Sequence, residues 1–176
     1  MDMLDRQFDR SALDTFDAEP DVRKRVLSGI GDKKTITLIE GLRLVAHADK
    51  ALCWLTKLGL EHKVIATLTS VAVDVITEGR YKGLIKAIRA WRKAPERNTA
   101  KAVFDEANII RASGVPDWEK GWVTIAALVI VNPLAWLPKG ASNNERFLIP
   151  KNYDALLCRA TEAIIDVLKE ECNYGI

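Results

Sequence analysis

The sequence predicts an all-α fold, a single-domain bundle of about seven helices with one long irregular loop near residues 134–151. Apolar residues recur at three-and-four spacing from Lys33 to Val131 and again from Asn152. No stretch alternates apolar and polar residues as a half-buried strand does. Glycine and proline punctuate the periodic segments, at Gly29-Ile30-Gly31, Gly59, Gly79, Pro95, Gly114 and Asn132-Pro133. At 176 residues the chain has the length of one domain with a sizeable core.

Pro20 suits a first-turn position and opens a short helix to about Ser28, with Val22, Val26 and Leu27 inward. Asp32 is the expected cap of the next segment, Lys33–Leu58. Leu38, Leu42, Val45, Leu52 and Leu55 form its stripe, and Gly41 leaves open one long helix or two shorter ones. Glu61–Glu78 follows, with Val64, Ile65, Leu68, Val71, Ala72, Val75 and Ile76 on a buried face. Its β-branched residues also suit a strand, but eighteen residues without a turn signal exceed strand length. A basic helix runs from Arg80 to Ala94 and stops at Pro95. Asn98 or Thr99 is the expected cap of a helix through Ala112, with Ala102, Val103, Ala107 and Ile110 inward. Pro116 opens a Trp-rich helix to Val131, whose run Val123–Val131 reads as a fully buried core helix. A final helix, Asn152–Cys172, buries Leu156, Leu157, Ala160, Ile164, Val167 and Leu168.

Hydrophobic residues at 48% and charged residues at 28% describe a globular chain rather than a disordered one. A net charge of +2 argues against wholesale polyanion binding, but the charge is unevenly distributed. Residues 1–19 form an acidic arm with six acids and two bases, separate from the helical domain at 20–176, while Gly79–Lys101 holds eight cations against Glu96 alone. The acidic start has no basic n-region or apolar h-region, so no secretory signal is expected. The longest apolar run falls short of the roughly 20 residues of a bilayer span. Cys53, Cys158 and Cys172 are widely spaced and odd in number. Cys53 and Cys158 read as buried reduced thiols, and the protein as cytoplasmic.

No catalytic or cofactor signature is present. His47 and His62 lack the spacing of metal ligands, no Glu has a His three residues later, and no nucleophile motif or phosphate loop occurs. Neither cofactor, metal nor catalytic residue is therefore expected, and the protein reads as no enzyme. Trp54, Trp122 and Trp136 read as buried anchors.

The expected contact surface is the basic helix: Arg80, Lys82, Lys86, Arg89, Trp91, Arg92, Lys93 and Arg97. Leu84, Ile85, Ile88 and Trp91 recur at helical spacing, so one face can bury while the other stays positive. Trp91, flanked by Arg89, Arg92 and Lys93, can be core edge or contact. A solvated face, an acidic protein partner, and a nucleic acid or membrane all fit the cations. Neither a helix-turn-helix pattern nor strong overall basicity favours nucleic acid. The stretch RYKGLIKAIRAWRK is similar to a segment of one family of bacterial toxin-immunity proteins, all-α domains of similar size. The likeness covers 14 of 176 residues and carries no assignment to that family. It implies a protein partner rather than a catalysed reaction. The reading is a helical protein-binding module of the inhibitor or immunity type. It would occlude a partner's acidic surface with Arg80–Lys101, together with the loop 139–151. A nucleic-acid-binding accessory protein is the alternative, and a helical-bundle enzyme the third.

Overall fold

Eight α-helices and a two-stranded ribbon are present in the computed structural model, which describes residues 3–12, 20–131 and 151–174. In chain order these are β1 (Gln7–Asp9), α1 (Pro20–Ile30), β2 (Thr35–Thr37), α2 (Leu38–Val45), α3 (Ala48–Lys57), α4 (His62–Ile76), α5 (Lys82–Lys93), α6 (Arg97–Ala112), α7 (Asp117–Val131) and α8 (Tyr153–Tyr174). The all-α assignment holds. The irregular loop expected near 134–151 lies, but for its last residue, outside the described residues, as does Trp136.

Helix α4 is the hub. It packs against α8 and α7 most extensively, and against α3 and α5. Its buried residues Ile65, Ala66, Leu68, Thr69, Ala72, Val73 and Ile76 wrap more than one face, which explains an apolar stripe wider than a surface helix needs. The buried hydroxyl of Thr69 donates to the Ile65 carbonyl at 2.8 Å, so it enters the core without an unmet hydrogen bond. Helix α6 packs between α5 and α7, while α8 lies across α4, α3 and α2.

The segment expected over Lys33–Leu58 is two helices. Its first cap is Thr37 rather than Asp32: Thr37 and Glu40 form a reciprocal capping box, with Thr37 N donating to the Glu40 carboxylate at 2.8 Å. Between α2 and α3 the chain turns at Ala46, whose φ of 65° is left-handed. Tertiary contacts hold this break. Arg25 donates to the carbonyls of Leu44 and Val45, and the Thr161 hydroxyl of α8 donates to the Ala46 carbonyl at 2.8 Å. Gly41 is required by close approach, since a β carbon there would overlap the indole of Trp54. That indole is buried, and Phe8 meets it edge-on at 5.3 Å.

Phe8 belongs to the ribbon, in which Gln7–Asp9 pairs antiparallel with Thr35–Thr37. Through Phe8 the described part of the acidic N-terminal stretch is thus anchored in the core beside α2 and α3. Three-residue strands are too short for an alternation signal.

Several inward positions need correction. Helix α7 is not fully buried: Trp122, Val123, Ala126, Ala127, Val129 and Ile130 are covered, whereas Leu128 is 37% and Val131 55% exposed. Its neighbours are α4 and α6, which leave the side carrying Leu128 and Val131 open. Ala102 faces solvent, and α6 is capped at Glu96, whose backbone N–H donates to Thr99 at 3.1 Å. Of the thiols, Cys53 is half-buried and Cys158 exposed; both are free.

Candidate partner-binding surface on helix α5

Helix α5 separates its residues cleanly. Leu84, Ile85, Ala87, Ile88 and Trp91 are buried. At 100° per residue, Lys82, Lys86, Arg89 and Lys93 fall within an arc of about 60° on the opposite face, along about 16 Å of helix. All four line one shallow groove of about 460 Å³ with Asp74 and Gly79 at the end of α4. Asp74 bridges Arg89 at 3.3 Å. No carboxylate among the described residues pairs with Lys82, Lys86 or Lys93.

This stripe works against the helix that carries it. Lys82 and Lys86, and Arg89 and Lys93, are like charges four residues apart, each pair costing about 0.2–0.5 kcal/mol in an isolated helix. Lys82 also occupies the first turn, where the macrodipole disfavours a cation, and no acid accompanies it there. Only the last-turn cations Arg92 and Lys93 suit the dipole.

The other four expected contact residues are employed differently. Arg80 pairs with Glu119 of α7, whose side chain is 3% exposed, and also donates to the Thr77 carbonyl at 3.0 Å. The Tyr81 hydroxyl donates to the second Glu119 oxygen. Burial, the hydrogen bond and the nearby carboxylate push the Tyr81 phenol up to about 12. Together these groups fasten the α4–α5 connection to α7. Trp91 is 5% exposed and belongs to the core. Arg92 is half-buried and donates to the Ser70 hydroxyl at 2.7 Å; burial lowers its pKa. Arg97 is exposed at the start of α6, beside a separate cavity. Sequence reasoning overlooked Glu119. Nothing local marked it: α7 opens Asp117-Trp118-Glu119-Lys120, and an acid in a charged first turn is ordinary.

Among the described residues, no group of three or more His, Cys, Asp or Glu side chains converges as a metal site would, and no helix is long and apolar enough to cross a membrane. His47 lies 3.4 Å from the exposed Asp154, and His62 bonds to the Val129 carbonyl. Comparison with protein families, curated proteins and solved structures finds no match to this chain.

Proposed function

We propose that this protein is a binding module that docks the acidic surface of another protein along the Lys82–Lys86–Arg89–Lys93 face of α5. The observation that carries the reading is the stripe itself, in which three lysines without partners among the described residues share one exposed face of a helix anchored by five buried side chains. Their arrangement costs helix stability, so α5 does not keep them for its own sake. Docking on such a rigid face occludes the partner's surface and requires no chemistry, which is how an inhibitor or immunity-type protein acts. Electrostatic complementarity of this kind accelerates association more than it deepens affinity. The free thiols of Cys53 and Cys158 support a reducing, cytoplasmic setting.

The test compares the parent with Lys82→Glu/Lys86→Glu/Lys93→Glu. Proteins captured from the native host by the parent are purified and titrated singly against both forms. The proposal expects an acidic partner whose association slows steeply with salt and is lost in the triple variant. Each exposed substitution should alter stability by no more than about 0.5 kcal/mol. Duplex DNA and single-stranded RNA are titrated in parallel. Binding with a steep salt slope that the triple variant abolishes would replace this reading with the nucleic-acid one. No change in either kind of binding would leave α5 a solvated face.

A further inference from the structure

Away from the α5 stripe lies a cavity of about 790 Å³, between the beginnings of α4 and α6 and the ends of α5 and α7. Its size is that of a small-molecule site. Trp91, Phe104, Ile130 and Val131 supply an apolar wall, and two of them, Phe104 at 38% and Val131 at 55%, are among the exposed large hydrophobics. Water therefore meets hydrocarbon here, an arrangement that an apolar ligand relieves.

The charged lining of the cavity is predominantly positive. Lys63, Arg97 and Lys101 line it against a single acid, Glu96. Glu96 is engaged in capping α6, and Lys101 is tied to Asp105 at 2.5 Å. Lys63 and Arg97 pair with no carboxylate among the described residues. They occupy the first turns of α4 and α6, and neither first turn contains an acid. The positive helix ends add to their potential.

From this combination we infer that the cavity binds an amphipathic anion, a free carboxylic acid with an unbranched alkyl chain. The chain lies on Trp91, Phe104, Ile130 and Val131, and the carboxylate faces Lys63 and Arg97. An uncharged chain would leave the two cations without a counter-charge, and a cationic amphiphile would be repelled by them. The site is independent of the proposed protein-docking face, because Trp91 projects from the opposite side of α5 to the lysine stripe.

The test is calorimetric titration of the full chain with laurate below its micelle concentration, with dodecanol and dodecyltrimethylammonium as comparisons. Laurate should bind saturably at one site per chain, about tenfold or more tighter than either comparison ligand. Lys63→Glu/Arg97→Glu should weaken laurate about tenfold or more while leaving dodecanol unchanged. Acids in these two first turns favour the helix dipoles, so the variant should fold. Phe104→Ser should weaken both laurate and dodecanol. The inference is overturned by absence of saturable laurate binding, by equal binding of the cationic amphiphile, or by laurate binding indifferent to the double charge reversal. It is equally overturned if sedimentation reveals a dimer that Phe104→Ser dissociates, since a second copy would then cover the apolar wall.

Discussion

Replacing Arg80 with alanine tests whether this residue holds the fold rather than a partner. Its guanidinium is the counter-charge of Glu119, whose side chain is 3% exposed, while the Arg80 side chain itself is 53% exposed. Removing one member of a fully buried ion pair costs about 3–5 kcal/mol. Water reaches half of this pair, and Tyr81 still donates to the carboxylate, so we expect about 2 kcal/mol. For a chain of this length that lowers Tm by about 4–8 °C. Chemical denaturation and calorimetry of Arg80→Ala, Glu119→Gln and the double variant complete a thermodynamic cycle. The arginine's absence should matter less once the acid is an amide, giving a coupling of about 1 kcal/mol or more. Lys82→Ala, two residues along, should remain within about 0.5 kcal/mol of the parent. An Arg80→Ala protein as stable as the parent, or strictly additive single effects, would refute the structural assignment of Arg80.

Gly41→Ala gains about 1 kcal/mol of helix propensity but drives a β carbon into the buried Trp54 ring, so urea unfolding should show a net loss of about 1–3 kcal/mol. Ala127→Asp, at a position 3% exposed, should abolish the cooperative melt because an unpaired buried carboxylate costs several kcal/mol, a large part of a domain's stability. Leu128→Asp on the same helix should melt cooperatively, about 1–3 kcal/mol weaker. The Tyr81 phenol, raised to about 12, holds its proton more tightly than in the unfolded chain, where it ionises near about 10. Its contribution is therefore complete below about pH 10 and is lost as pH rises through about 12. Because the side chain is only half-buried, the loss should be about 1 kcal/mol, read as a shallower alkaline decline in Tyr81→Phe than in the parent.

Helical periodicity by itself determined the fold class, because an apolar stripe at three-and-four spacing has nowhere to go but a neighbouring helix. Leu38, Leu42, Val45, Leu52 and Leu55 are all buried where that spacing puts them. The same arithmetic set Lys82, Lys86, Arg89 and Lys93 opposite the core side of α5. Signals that act over a few residues were also present in the sequence: Thr37 and Glu40 spell a capping box, and Pro95 ends α5. Tertiary structure decided what lies against each face. A run such as Val123–Val131, apolar but for Thr124, carries no mark of which side its neighbours will leave open, so the exposure of Leu128 follows only from where α4 and α6 sit. Nor can local sequence distinguish a cation facing solvent from one facing a buried acid 39 positions away, as Arg80 faces Glu119. Spacing along a helix is a property of the chain, whereas pairing across helices, on which the identity of a site depends, is a property of their packing.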